Sequence, residues 1–150
     1  EIQPGDQGCE AVGTTCLRVI SGIGTPVLWW MACAALIAGI WWWLGRRDWR
    51  FAVPVLGVLA VWLPWFQFAA RPLFFFYAIV LLPFYVTGLA MALGRILGPA
   101  NHPKRRIRAM LVGLAIGLVI LHFTFIYPIL TDGLLTRPEW LSRMWFGTWI

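Results

Sequence analysis

Four long stretches of this chain contain no charged residue. They occupy positions 19–45, 51–70, 72–94 and 109–131. An α-helix rises about 1.5 Å per residue and the hydrocarbon core of a bilayer is about 30 Å thick, so about 20 apolar residues cross it. Each stretch is therefore long enough to form a transmembrane helix.

The composition agrees with a membrane environment. Apolar residues make up 61% and charged residues 12% of the 150 positions, whereas soluble domains average about 25% charged residues. Strands of a membrane β-barrel are only about 10 residues long and alternate in polarity, unlike these stretches. A helix satisfies its own backbone hydrogen bonds in lipid. The sequence thus predicts an all-α membrane protein with four spans, at about 26–44, 51–70, 72–94 and 109–131.

The basic residues predict the orientation of these helices. The links after the first and third stretches contain most of them: Arg46, Arg47, Arg50, Arg95, Lys104, Arg105, Arg106 and Arg108. Because basic links stay in the cytoplasm, residues 1–25 and 132–150 are expected on the extracytoplasmic side, as the end of a loop and as a C-terminal tail. The run from Lys104 to Arg108 is also expected to contact anionic membrane lipid, and nucleic acid is not an expected partner.

The extracytoplasmic start has two further implications. The first 25 residues contain no signal peptide, so we expect further spans of the same protein, or a cleaved signal, ahead of Glu1. Cys9 and Cys16 then face an oxidising compartment, and we expect a disulfide between them, with two free thiols as the alternative. Cys33 lies in the first span and is interpreted as a small buried residue.

The segment after the fourth stretch predicts a short amphipathic helix on the outer surface. Thr136-x-x-Glu139 has the form of a capping box, in which side chain and backbone groups cap each other at a helix start. The apolar residues that follow share one helical face: Trp140, Leu141, Met144 and Trp145. Arg143 and Trp145 are candidate contacts for a substrate or partner at this face, and packing of the tail onto the other helices is the alternative.

Motifs for metal or cofactor binding are missing from the sequence. It contains no paired Cys or His at metal-ligand spacing, no Gly-rich phosphate loop and no Ser-His-Asp set. No cofactor is therefore evident, and the need for a divalent metal is left open. His122, in the fourth span, is interpreted as a helix-packing residue, with a ligand or proton relay as the alternative. The same span contains Gly113 and Gly117, a GxxxG motif that lets two helices pack closely.

Arg71 is the most informative charged residue. It lies in the short turn between the second and third spans, next to the start of a helix, where backbone N–H groups and the helix dipole attract anions. A guanidinium binds phosphate through two hydrogen bonds. Phe74, Phe75 and Tyr77 follow with apolar surface and one hydroxyl group. This pattern fits a lipid with a phosphate head, and snorkelling of Arg71 to the headgroup layer is the alternative.

Several aromatic, Pro and Arg motifs together resemble a known family. They are Trp62-Leu-Pro-Trp65, Arg71, Phe74-Phe-Phe-Tyr77, Pro83-Phe84, Tyr127-Pro-Ile-Leu-Thr131 and the ending from Trp140 to Ile150. In this order and spacing, the chain from about Cys16 onward resembles the C-terminal four-helix region of protein O-mannosyltransferases, and the bacterial branch most closely.

The resemblance implies a GT-C glycosyltransferase of about eleven helices in the cell membrane. Such an enzyme moves mannose from polyprenyl-phosphate mannose to Ser or Thr hydroxyls of exported proteins at the outer face. Arg71 and Tyr77 match family residues that would help to hold the lipid phosphate, whereas Phe76 stands where eukaryotic relatives tend to have His.

The family's catalytic acidic pair has no counterpart in this segment. The resemblance places that pair in the first extracytoplasmic loop, so no catalytic residue is expected here and the 150 residues alone should be inactive. The upstream helices of the same enzyme are the expected packing partners. The alternative is an autonomous four-helix membrane anchor or assembly subunit without catalysis. A transporter fragment is disfavoured, because no acidic residue lies within a span.

Overall fold

A computed structural model of the protein describes residues 15–68 and 75–146, with side chains for 15–67 and 78–146. Four helical segments are long and apolar enough to cross a membrane: Pro26–Arg46, Trp49–Gln67, Ala78–Leu97 and Arg105–Leu130. The predicted all-α architecture with four spans is therefore confirmed.

The spans consist of α-helices with tighter 3-10 segments at some of their ends. The α-helices are α1 (Pro26–Arg46), α2 (Ala52–Trp62), α3 (Leu82–Leu97), α4 (Arg105–Leu130) and the short α5 (Arg137–Arg143). The 3-10 segments are Trp49–Phe51, Leu63–Phe68 and Phe75–Leu81. Two-residue strands, β1 (Cys16–Leu17) and β2 (Leu135–Thr136), lie before α1 and after α4.

Prolines determine where several of these segments change. Pro26 begins α1, where a missing backbone N–H costs nothing because the first turn has no acceptor for it. α2 gives way to a 3-10 segment beside Pro64. The sequence predicts one span over 72–94; in the structure, the 3-10 segment ends at Leu81 and α3 starts at Leu82. Pro83 thus occupies the first turn of α3, where it does not interrupt the hydrogen-bond ladder.

The chain divides into two compact units, and the larger comprises Pro26–Leu118. Within it, three alanines and a leucine of α1 and α3 form one buried cluster: Ala32, Ala35, Leu89 and Ala92. A second cluster joins α1 and α2 to the segment before α3: Leu36, Val55, Val58 and Leu81. Association of helices in lipid depends on such close packing, because lipid tails are as apolar as the side chains themselves.

Two glycines lie where the helices of this unit approach one another closely. A Cβ atom added to Gly57 of α2 would lie 2.2 Å from Cδ1 of Phe84 in α3. A Cβ atom added to Gly88 of α3 would lie 2.9 Å from Cδ2 of Leu36 in α1 and 3.4 Å from Cβ of Pro54. At Gly57 a side chain would collide with the Phe84 ring, whereas at Gly88 it would require only a small shift of the flexible end of Leu36.

The second unit comprises Glu1–Thr25 and Val119–Ile150, of which residues 15–25 and 119–146 are described. β1 and β2 pair antiparallel, with Cys16 opposite Thr136 and Leu17 opposite Leu135. The backbone N–H of Ser21 donates to the carbonyl of Ile129 at 3.0 Å. The segments on either side of the four spans thus lie side by side.

The end of α4 is closed by a tight turn in this unit. Asp132 adopts a left-handed backbone conformation with φ of 57°, and the N–H of Gly133 donates to the carbonyl of Pro128 at 2.7 Å. This is the Schellman arrangement that satisfies carbonyls at a helix end. It turns the chain back toward β2, and Ile129, Leu135 and Met144 form the buried cluster beneath it.

Candidate functional site

The predicted phosphate-binding residues lie outside the described side chains. Arg71 falls within 69–74, and only the backbone of Tyr77 is described, in the 3-10 segment Phe75–Leu81. Their role in binding a lipid phosphate stays a prediction. Cys9 is likewise outside the described residues. Cys16 is buried and disulfide-bonded, and its pairing with Cys9 stays a prediction. The interpretation of Cys33 as a buried residue is wrong, because Cys33 is a free, exposed cysteine.

The capping box at the start of α5 is confirmed. The Glu139 carboxylate accepts hydrogen bonds from the Thr136 backbone N–H at 2.9 Å and from its hydroxyl at 2.8 Å. In return, the Thr136 hydroxyl accepts from the Glu139 backbone N–H at 3.4 Å. These bonds to the charged form, first of all the one from the Thr136 backbone, lower the pKa of Glu139 below its usual range.

Arg143 is held by backbone carbonyls of two helices. Its Nε donates to the carbonyl of Phe125 in α4 at 2.8 Å, and its Nη1 donates to the carbonyl of Glu139 in α5 at 2.6 Å. The guanidinium also lies 4.7 Å from the centre of the Phe125 ring. Pro128 interrupts the hydrogen-bond ladder of α4 close to this carbonyl. This geometry matches the packing alternative, and a substrate contact of Arg143 stays a prediction.

Trp145 packs edge-on against His122, with ring centres 4.7 Å apart and planes inclined at 61°. His122 is 6% exposed, and neither of its ring nitrogens has a hydrogen-bond partner within residues 15–68 and 75–146. The residue is thus buried against an aromatic ring, as the helix-packing interpretation expects. Trp140 packs on the cluster of Ile129, Leu135 and Met144. Because α5 ends at Arg143, Met144 and Trp145 lie beyond the helix, and the prediction that they share its apolar face is wrong.

The basic end of α2 and α3 contains a charged cluster that sequence reasoning missed. Asp48 binds both Arg50, at 2.9 Å from Nε to Oδ1, and Arg95, at 2.6 Å from Nη1 to Oδ2. The hydrogen bond from Arg50 is the main reason that the pKa of Asp48 is lowered. One signal was available: Asp48 is the only acid in the two basic links.

A groove of about 660 Å³ opens beside this cluster. Its walls come from the start of the second span and from α3: Asp48, Trp49, Arg50, Phe51, Val53, Thr87, Met91, Gly94 and Arg95. A second groove of about 380 Å³ is lined by apolar residues of α1, α3 and α4, among them Ala34, Ala38 and Ala115. Among the described residues, no three His, Cys, Asp or Glu side chains are arranged to hold a metal ion.

Comparison with known proteins identifies related sequences. The chain is 37% identical over 144 residues to a polyprenol-phosphate-mannose–protein mannosyltransferase of Mycobacterium tuberculosis. It is 38% identical over 144 residues to the enzyme of that name from Mycolicibacterium smegmatis, and 32% identical over 146 residues to that from Corynebacterium glutamicum. These alignments cover 95–96% of the chain but only 27–28% of the relatives. No protein-family model matches the chain, and no solved structure matches it.

Proposed function

Because the chain belongs by sequence to the protein O-mannosyltransferase family, as its motifs indicated, we propose that it forms the C-terminal membrane part of such an enzyme. The single observation that carries this proposal is the similarity over 95% of the chain to proteins named polyprenol-phosphate-mannose–protein mannosyltransferase. The chain spans about a quarter of the length of those relatives, 27%. The proposed reaction moves mannose from polyprenyl-phosphate mannose to Ser or Thr hydroxyls of exported proteins.

The proposed contribution of this segment is to bind the phosphate of the lipid donor. Arg71 lies in the connection between α2 and α3, and Tyr77 lies six residues later in the chain. In the reaction, the acceptor oxygen forms a bond to the anomeric carbon of mannose while the bond from that carbon to the phosphate oxygen breaks. A carboxylate elsewhere in the enzyme takes the hydroxyl proton. Arg71 stabilises the negative charge that remains on the departing lipid phosphate.

The proposed orientation puts this chemistry on the extracytoplasmic side of the cell membrane. The two basic links join α1 to α2 and α3 to α4, whereas Arg71 lies in the connection at the opposite ends of α2 and α3. Positive-inside placement of the two basic links supports this assignment. The pairing of β1 with β2 agrees with an even number of spans, which puts both flanking segments on one side but does not say which side.

Further helices of the same enzyme are the proposed partners of α4. A Cβ atom added to Gly113 or Gly117 would meet nothing within 4 Å in the described chain. In the most apolar 18 residues of α4, only 11% of the positions are buried, compared with 22% in the corresponding stretch of each other span. A GxxxG face without a neighbour is the surface on which another helix packs closely. The remaining three-quarters of the enzyme, including the catalytic acidic pair, would supply that helix.

The test uses membranes that contain the full-length enzyme, polyprenyl-phosphate mannose and an acceptor peptide. Arg71→Ala should reduce transfer about 30-fold or more, because a hydrogen bond to a charged group contributes about 2 kcal/mol and 1.36 kcal/mol is tenfold. Arg71→Lys should retain part of the rate. Arg18→Ala removes an exposed arginine ahead of α1 and serves as the matched control. Unchanged transfer in Arg71→Ala would remove this residue from the phosphate site, and transfer by the 150-residue chain alone would overturn the assignment of catalysis to the rest of the enzyme.

A further inference from the structure

We propose that the groove at the basic end of α2 and α3 binds one anionic phospholipid, with its phosphate on Arg50 and Arg95 and an acyl chain along α3. This site is separate from the proposed donor site, because Arg71 belongs to the connection at the other ends of these helices. The inference requires only that the helices span a bilayer and does not rest on mannosyl transfer.

The two arginines are held together by one carboxylate. Arg50 donates to Asp48 from Nε at 2.9 Å and from Nη2 at 3.4 Å, and Arg95 donates from Nη1 at 2.6 Å. The Asp48 side chain is 11% exposed, compared with 69% for Arg50 and 35% for Arg95. The carboxylate therefore lies beneath the guanidinium groups, which face outward. Arg95 is further fixed by the Trp42 ring, whose centre lies 5.2 Å from its Cζ.

Charge favours an anion with a single negative charge. Two guanidiniums and one carboxylate leave one unbalanced positive charge in the groove, and Arg46 and Arg47 in the same link add to the local positive potential. The hydrogen bonds given by the described residues use Nη1 of Arg95, and Nε and Nη2 of Arg50. Three donors remain available for a ligand, namely Nε and Nη2 of Arg95 and Nη1 of Arg50. A phosphodiester supplies both the charge and the acceptor oxygens that these donors need.

The wall below the arginines suits hydrocarbon rather than water. Val53, Met91 and Gly94 line the groove, and a Cβ atom added to Gly94 would meet nothing within 4 Å. Thr87 also lines it, but its hydroxyl donates to the Pro83 carbonyl at 2.7 Å and is thereby satisfied. Trp49 is 71% exposed at the mouth, where tryptophan typically marks the boundary between headgroups and tails. A soluble anion would use the arginines but leave this apolar wall empty.

A further protein helix is the competing occupant of the groove. Such a helix would bury Arg50 and Arg95 with only one carboxylate to pair them, and an unpaired buried charge is strongly destabilising. A lipid brings its own phosphate to this point. The phospholipid is therefore the occupant that the charges favour.

The experiment compares lipid binding by native mass spectrometry of the whole protein released from detergent. The probes are phosphatidylglycerol and, as the zwitterionic control, phosphatidylcholine. We expect the wild-type chain to prefer phosphatidylglycerol by about tenfold or more, given about 1 kcal/mol for each basic side chain near anionic lipid. The double variant Arg50→Gln/Arg95→Gln should lose most of this preference. Lys104→Gln/Arg106→Gln removes the same charge from exposed positions in the other basic link and should change it about twofold at most.

A second variant tests the apolar wall without changing charge. Gly94→Leu places a side chain in open space, so helix packing should be unaffected while the path of the acyl chain is filled. We expect it to reduce phosphatidylglycerol binding about as strongly as the double arginine variant. Full binding by Gly94→Leu, or equal losses in the two double variants, would overturn the site. A photo-crosslinker at Met91 in the full-length enzyme that captures protein instead of lipid would also overturn it.

Discussion

Gly57→Ala should disrupt the contact between α2 and α3. The added Cβ atom would lie 2.2 Å from Cδ1, 2.4 Å from Cε1 and 2.7 Å from Cγ of Phe84. Ordinary carbon contacts lie at about 3.5–4.0 Å, so the ring would have to move by more than about 1 Å. Phe84 packs against the buried cluster of Leu36, Val55, Val58 and Leu81, so movement of the ring disturbs that cluster too.

The expected size of the effect follows from two opposing contributions. Overpacking a well-packed contact costs about 1–3 kcal/mol, and the upper end applies because three atoms of a rigid ring are involved. Replacing glycine with alanine within a helix stabilises the helix by about 1 kcal/mol, because alanine has the higher helix propensity. The free energy of unfolding should therefore fall by about 2 kcal/mol.

Equilibrium unfolding of the chain in mixed detergent micelles, followed by helical circular dichroism, measures this change. Gly113→Ala is the matched control, since its added Cβ atom meets nothing within 4 Å and only the helix-propensity gain should remain. The double variant Gly57→Ala/Phe84→Leu should be less destabilised than the sum of the two single variants. The reasoning is refuted if Gly57→Ala and Gly113→Ala have the same stability.

Four other predictions concern the tail, the buried histidine and the fourth span. Thr136→Ala should cost about 1 kcal/mol of α5 stability, seen as faster amide exchange in Arg137–Arg143. Because the pKa of Glu139 is lowered in the folded state, its capping contribution is present at neutral pH and should be lost as the pH falls through the acidic range below the ordinary pKa of glutamate; protection of α5 that does not change on acidification would contradict this. His122→Phe should leave the melting temperature unchanged or raise it, since it removes two ring nitrogens without partners in the described chain; a clear drop would reveal a partner for them. Gly113→Leu should spare the 150-residue chain but destabilise the proposed full-length protein, and equal behaviour in both would argue against a helix packed there.

Local and compositional signals predicted the features that depend on nearby residues. The four spans follow from the absence of charge over about 20 residues, because the cost of placing a charge in hydrocarbon does not depend on tertiary contacts. The capping box of Thr136 and Glu139 also formed as predicted, since its partners are three positions apart. In both cases, the residues that determine the feature are close together in the sequence.

Contacts between distant residues were not predictable in the same way. Asp48 and Arg95 are 47 positions apart, and the positive-inside rule counts basic residues without saying which of them meet. The pairing of Arg143 with the Phe125 carbonyl depends on how α5 returns along α4. That path is set by the left-handed turn at Asp132, a backbone conformation that Asp tolerates but does not require. The position of α3 likewise depends on where a 3-10 segment becomes α-helical, which residue type alone does not determine.

The short ladder between β1 and β2 has a consequence for biosynthesis. Its strands, Cys16–Leu17 and Leu135–Thr136, lie on either side of the four spans and meet only if an even number of segments has crossed the bilayer. A nascent chain in which one helix failed to insert would leave the two strands in different compartments. The ladder can therefore close only late in synthesis, after the last span has been threaded. In the described chain, this pairing thereby distinguishes molecules with an even number of inserted spans from those in which a single helix failed to insert.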